Sequence, residues 1–402
     1  MNRIFFSFLP FIIQFLFFLI ILPIIINSLG EKDYKILALT LYIPLLIPVL
    51  TYGFTQFIIS NIGLSDNKRG NATKVINIAI NKTIYLSIPS LCIFFYLLND
   101  FNLSFLLTLI LCVSLINEFF QSILLAFDKF LISRKVKIIE YLINFLLFYY
   151  FREELTLFNC VYILICSHLI CFIVYIYIIF NKLYLSKIEI KLLDTNDISL
   201  VKKSKFYFIS TLSGFVLFNI DVYILAIYSE PKDFIVFQLL LKLNEMGRSV
   251  VGQIPAAFYS KFIILHNKDK QEFRKLFKKL FLFIVISIVI FSPIILNFIS
   301  EIFYYWQKIN LENIHLIFFY LFFLFNLIVL IDSVPSTVIN STNNNKNSAR
   351  LSMILALFKI FSLLIFIDSD NIYLLGVISI FCIVLNLSYN LFKTRKILIE
   401  HE

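Results

Sequence analysis

Lys242, Glu245 and Arg248 follow one another at three-residue spacing inside an apolar stretch, and on a helix that spacing covers about 120° of one face. Gln238 and Gln253 extend the strip at either end. A charged side chain at the bilayer centre costs roughly 2.5 to 3.5 kcal/mol on insertion scales, so an ionisable group at that depth needs a partner, a wet cavity or a task. Asp221, Lys82, Glu118, Asp332 and Lys359 also lie in apolar runs. Depth counted from the nearer helix end puts Asp221, with Asn219 beside it, level with Lys242. The same count puts Lys82 level with Glu118 and Asp332 level with Lys359, so each couple can pair. The chemistry open to this set is anchoring of an anionic group by the cations or exchange of a proton or sodium ion by the carboxylates. The plainer alternative is interhelical bracing. A second polar patch, Asn117, Glu118 and Gln121, shares one helix face, with Gln14 and Gln56 on the first two helices.

The elements that must position these groups are set by composition. Of 402 residues 60% are hydrophobic and only 15% charged, against about a quarter charged in an average soluble domain. The aromatic share of 17%, with 48 Phe and 21 Tyr, exceeds what one aqueous core could hide. A water-soluble globule is excluded. At roughly 20 residues per helical pass, the apolar runs fill about twelve passes. They lie at roughly 5–27, 36–60, 75–98, 103–127, 137–151, 155–180, 206–228, 234–262, 280–303, 314–340, 351–367 and 372–392. The fifth is short for a span and carries Glu140 near one end. Prolines inside the spans, among them Pro10, Pro89, Pro255, Pro293 and Pro335, predict bent helices.

The net charge of +10 reads as topological rather than as a nucleic-acid footprint. With the N-terminus inside, 25 of the 35 basic residues fall on the cytoplasmic side, and only Lys32, Lys35, Arg152, Lys232 and Lys308 on the other. Both termini are therefore expected in the cytoplasm. The longest cytoplasmic loop, at about 181–205, sits at mid-chain. A shift of 200 aligns Lys32-Asp33-Tyr34 with Lys232-Asp233-Phe234 and Asn67-Lys68 with Asn267-Lys268. These features predict an all-α polytopic membrane protein with two six-helix lobes around a central cavity, 1–180 and 206–402, joined by a linker at 181–205.

Other chemistries are set aside on spacing. Six cysteines lie in apolar stretches without metal-ligand or redox spacing, so neither a disulfide nor a zinc site is expected. No P-loop and no nucleotide fingerprint occur among eight glycines, and no cofactor or metal is expected. The four histidines, His168, His266, His315 and His401, are scattered and read as loop or interface residues. Asp368-Ser369-Asp370 has the acidic spacing of metal-dependent glycosyltransferases but reads more simply as a turn. The chain is not expected to be an enzyme. The apolar run after Arg3 ends without a small-residue cleavage site and reads as a retained first helix.

Ser28-Leu29-Gly30-Glu31-Lys32-Asp33-Tyr34, then Leu50-Thr51-Tyr52-Gly53-Phe54, resemble the opening of Wzx-type O-antigen flippases. These belong to the polysaccharide-exporter branch of the multidrug/oligosaccharidyl-lipid/polysaccharide (MOP) exporters. Asn219-Ile220-Asp221 with Tyr223 and Ala226 is similar to the start of that family's second half, while the second glycine that many relatives carry after Tyr34 is absent. The resemblance implies a bacterial inner-membrane flippase that moves undecaprenyl-pyrophosphate-linked O-antigen units outward by alternating access, driven by a proton or sodium gradient. Its partners would be that lipid-linked oligosaccharide, membrane lipids and other polysaccharide assembly proteins. A cargo with an anionic pyrophosphate needs cationic anchors and amide partners, which Lys242, Arg248, Asn219, Gln238 and Gln253 would supply. Asp221, Glu245, Glu118, Lys82, Asp332 and Lys359 would couple ions or form charge pairs. Two other classes compete. A small-solute or multidrug antiporter shares the twelve passes, whereas an O-antigen polymerase has a large periplasmic loop that this chain lacks.

Overall fold

The computed structural model describes residues 2–51, 68–127, 129–183, 205–258, 261–262, 265–266, 269–342, 345–368 and 371–399. Every regular element among them is a helix. Helix α1 (Asn2–Leu16) continues through a π-helical turn (Phe17–Ile21) into α2 (Leu22–Leu50). There follow α3 (Lys68–Leu98), α4 (Phe101–Ala126), α5 (Phe130–Tyr150), α6 (Leu157–Leu183) and α7 (Lys205–Tyr228). The remainder is α8 (Pro231–Ala257), α9 (Lys270–Gln307), α10 (Asn313–Ser341), α11 (Asn345–Phe366) and α12 (Leu374–Ile399).

Among the described residues, nine helical stretches are long and apolar enough to cross a bilayer. One of them, Leu9–Tyr42, runs through Gly30, whose φ of 72° and ψ of 175° break α2 into two helices. An L side chain rarely adopts that conformation, so glycine at this position is what separates the first pass from the second. The two long helices outside the nine are α5 and α8, because Arg134, Lys135, Lys137 and Glu140 interrupt one apolar run and Lys242, Glu245 and Arg248 the other. Splitting the first stretch at Gly30 and adding α5 and α8 gives the twelve passes of an all-α membrane protein.

The fifth pass differs from expectation. Helix α5 has 21 residues, about 31 Å at 1.5 Å per residue, and begins at Phe130 rather than near 137. Arg134, Lys135 and Lys137, expected in a loop, lie within its first turns, where long cationic stems can pair inside the bundle while remaining helical. Helices α4 and α9 start at side-chain caps: Asp100 accepts from the Leu103 N–H at 3.0 Å, and Asp269 from the Glu272 N–H at 2.9 Å.

The chain divides into two compact units, Met1–Phe215 and Val216–Glu402. In the first, α4 packs against α3 and α6, and α5 against α1 and α6. Its core is a cluster of Val75, Ile76, Ala79, Phe119, Phe120, Ile123, Tyr175 and Ile179, with Val136 from α5. In the second, α10 packs against α8, α9 and α12, and α11 against α12. Its core cluster includes Phe273, Leu276, Leu280, Ile284, Leu330, Val334, Val338 and Ile397. A Cβ added at Gly376 would stand 2.6 Å from the Leu321 Cβ, so the close approach of α12 to α10 requires a glycine there. The expected linker at 181–205 falls mostly on 184–204, outside the described residues, as do Gln56, Tyr52-Gly53-Phe54 and Ser369-Asp370.

Candidate functional site

Among the described residues, four polar groupings involve the positions singled out in the sequence. In the second unit the Lys359 side chain, fully buried on α11, donates to Asp221 Oδ2 at 2.9 Å and to the Leu217 carbonyl at 2.9 Å. Leu217 and Asp221 stand one turn apart on α7, so a single ammonium grips two rungs of that helix. Asp221 is therefore paired with α11, not with Lys242 as the depth count suggested. Its Oδ1 is buried and has no hydrogen-bond partner among the described residues.

Asp332 on α10 has also changed partner. Instead of Lys359 it meets two amides of α12: Asn386 Nδ2 donates to Oδ2 at 3.1 Å, and Asn390 Nδ2 reaches Oδ1 at 2.9 Å and Oδ2 at 3.0 Å. The amide oxygens are taken in turn by α11, where Ser352 donates to Asn386 at 3.2 Å and Ser348 to Asn390 at 3.1 Å. The rungs recur every four residues on both helices, so α10, α11 and α12 are laced together by a ladder that buries a carboxyl with no cation partner among the described residues. The hydroxyl of Thr394, one turn further, donates to the Pro335 carbonyl at 3.4 Å. The depth count misplaced Asp332 along α11, since the serines on its ladder, Ser348 and Ser352, stand two to three turns from Lys359.

On α8, Lys242 and Glu245 pair with each other at 3.3 Å across one turn, and both are half-buried. The Arg248 guanidinium lies 5.4 Å from the ring centre of Phe218 on α7, in cation–π geometry. Asn219 is half-buried on the same helix, and Gln238 is buried on α8. The side chain of Gln253 lies outside the described residues. Lys242, Glu245 and Arg248 thus share one face of α8, two of them joined by an i,i+3 ion pair.

The fourth group lies in the first unit. Glu140, buried on α5, receives Lys137 at 3.0 Å and has His168 Nδ1 of α6 at 3.5 Å. Asn117 of α4 donates to the His168 carbonyl at 3.0 Å. Glu118 has Lys137, Glu140 and Arg134 as its charged neighbours, while Lys82 donates to the Thr51 carbonyl at 3.2 Å, so the expected Lys82–Glu118 couple is not formed. Around this cluster Asn117 Oδ1, Gln121 Oε1, Arg134 Nε, Asn144 Oδ1 and Tyr175 Oη are buried without a hydrogen-bond partner among the described residues. Such a density of unmet polar atoms suits internal water.

Sequence reasoning missed Asn386, Asn390, Ser348 and Ser352, although their four-residue spacing inside apolar runs was a usable signal. It set His168 aside as an interface residue and treated Glu140 as a difficulty for the fifth span. The structure makes them partners.

No family model and no curated protein sequence matches the chain. Solved structures do. A multidrug resistance MATE family transporter of the MOP superfamily in its outward-facing conformation aligns over 98% of this chain and 95% of its own, with a TM-score of 0.69 and 12% identity. A multidrug resistance MATE family transporter of the MOP superfamily in an inward-facing conformation aligns over 97% of this chain and 95% of its own, with a TM-score of 0.68 and 12% identity. A MOP superfamily transporter from Pyrococcus furiosus, described as having a binding pocket of reverse polarity, aligns over 98% and 95%, with a TM-score of 0.68 and 11% identity. At these identities the likeness is one of fold. The chain is a multi-pass membrane protein with the fold of the MATE transporters of the MOP superfamily.

Proposed function

We propose that the protein is a flippase for undecaprenyl-pyrophosphate-linked O-antigen repeat units, carrying them from the inner to the outer leaflet of a bacterial cytoplasmic membrane by alternating access. The observation that carries this reading is the α8 strip. Asp221 with Lys359, and Asp332 with its two asparagines, are buried and engaged inside their own unit. Lys242, Glu245 and Arg248 are only half-buried on one helix face at mid-span, where a wet groove would need cations to hold a pyrophosphate. In this reading Lys242 and Arg248 anchor the anionic head, with Asn219, Gln238 and Gln253 as amide partners for the sugar. Glu245 exchanges a proton or sodium ion against Lys242 as the two lobes, 1–180 and 206–402, alternate. In this reading both termini lie in the cytoplasm, the orientation that the 25 to 5 partition of basic residues favours. Asp221 with Lys359 acts as a charge pair that holds the helices between which the strip is presented.

The test is surface polysaccharide in cells whose only copy is Lys242→Ala or Arg248→Ala, expressed at the normal level. Loss or shortening of the polysaccharide is expected, and full polysaccharide in both variants overturns the anchor role. Proteoliposomes test the drive: transport indifferent to both proton and sodium gradients removes the ion coupling. A second reading, a multidrug or small-solute antiporter, is favoured by the fold it shares with multidrug MATE transporters. Under that reading the alanine variants leave polysaccharide intact and alter resistance to cationic drugs instead.

A further inference from the structure

Helix α9 is 38 residues long, about 57 Å, and its exposed face changes character twice. Lys270, Lys275, Lys278 and Lys279 are exposed over the first turns. From Leu282 to Phe298 the exposed residues are apolar except Asn297, among them Phe283, Ile286, Val289, Ile290 and Ile294, and Ser300 and Glu301 stand exposed just beyond. The face then ends in Tyr304 and Tyr305, with Lys308 lying 5.6 and 5.7 Å from their ring centres. From Leu282 to Phe298 the helix rises about 24 Å, most of the roughly 30 Å thickness of a bilayer's hydrocarbon core. One end therefore carries the aromatic belt of a membrane interface, and the other meets the headgroups with lysine.

Among the described residues, the acids near that lysine end are already engaged. Asp269 caps the helix, and Glu272 pairs with Lys275 at 3.4 Å. Arg274 donates through Nε at 3.0 Å and through Nη2 at 2.7 Å to the Leu398 carbonyl, which draws the end of α12 against α9. Helix α12 repeats the pattern, with Phe392 exposed to 68% and then Lys393 half-buried and Arg395 exposed. Lys278 and Lys279 stand roughly 5 to 6 Å beyond Leu282 along the axis, within the layer that phosphates occupy.

We propose that Lys278 and Lys279 of α9 together with Arg395 of α12 form a binding site for the headgroup of an anionic phospholipid, whose acyl chains lie along the apolar face from Leu282 onward. The occupant is a lipid rather than a soluble anion because the cationic and apolar surfaces are continuous on the same helix face. The site is independent of the transported cargo and tests separately from it.

The purified protein would be exposed to equimolar phosphatidylglycerol and phosphatidylethanolamine in detergent and the lipid retained counted by native mass spectrometry. Retention of phosphatidylglycerol is expected to exceed that of phosphatidylethanolamine by about fivefold or more. The variant with Lys278→Gln, Lys279→Gln and Arg395→Gln is expected to fall to parity, while Lys278→Arg with Lys279→Arg keeps the preference. Parity in the unaltered protein overturns the proposal, as does a preference that survives the glutamine variant. Loss of preference in the arginine variant overturns it too, since charge is then not what the site reads.

Discussion

The Lys359 ammonium and the Asp221 carboxylate meet at 2.9 Å in a part of the second unit where Lys359 has no solvent exposure, tying α11 to α7. A buried ion pair of this kind is an uncertain gain over an apolar pair, but losing one member leaves an uncompensated charge. Lys359→Met is expected to cost about 3 to 5 kcal/mol and to lower the thermal midpoint in detergent. Adding Asp221→Leu to that variant should restore most of the loss. A double variant as unstable as the single would mean that the pair contributes more than compensation of charge.

Among the described residues the carboxyl of Asp332 is held by amides alone, and its ladder has rungs of unequal weight. Asn390→Ala removes the donor that reaches both Asp332 oxygens and should cost about 1.5 to 3 kcal/mol, the range for hydrogen bonds to charged groups. Ser348→Ala removes only an outer rung between neutral groups and should cost about 1 kcal/mol or less. Thermal unfolding of the two variants in one detergent ranks them.

Two glycines make opposite demands. Gly376→Ala would drive a methyl into Leu321 and force α10 from α12, at about 1 to 3 kcal/mol. Gly30→Ala meets no atom within 4 Å but must hold a positive φ, which costs about 1 to 3 kcal/mol in backbone strain. The first loss should be recovered in part by Leu321→Gly, which takes away the Cβ that the methyl would meet, and no such truncation should recover the second, as unfolding of the double variants would show.

Arg248 offers a graded test of the cargo reading. Arg248→Lys keeps the cation but loses the planar stack on Phe218 and any bidentate grip on phosphate. Transport is expected to fall by roughly tenfold or more in Arg248→Ala, given about 1.5 to 3 kcal/mol for a hydrogen bond to a charged group, and by less in the lysine variant. Flux of a lipid-linked oligosaccharide into proteoliposomes measures both.

The division between what could be read early and what could not follows from particular residues. The twelve passes, the helix break near Gly30 and the polar face of α8 were all present in the order of residues, because hydropathy and helical periodicity are properties of a single segment. The start of α5 was not. Arg134 and Lys137 look like a loop until Glu118 of α4 and Glu140 of the same helix supply charged neighbours, while Lys135 stays exposed over the Phe6 ring of α1. His168 likewise gains its role only from a carboxylate on another helix.

By itself the sequence determined that this chain lives in lipid, how many times it crosses, and which few positions carry charge into the membrane. Only the tertiary structure decided which of those charges meet: Lys359 with Asp221, Asp332 with Asn386 and Asn390, and Lys242 with the Glu245 of its own helix. Depth in a bilayer is a one-dimensional quantity that the residue order carries. A partner depends on which helices are neighbours and how each is rotated, and that is set by the packing of all of them at once.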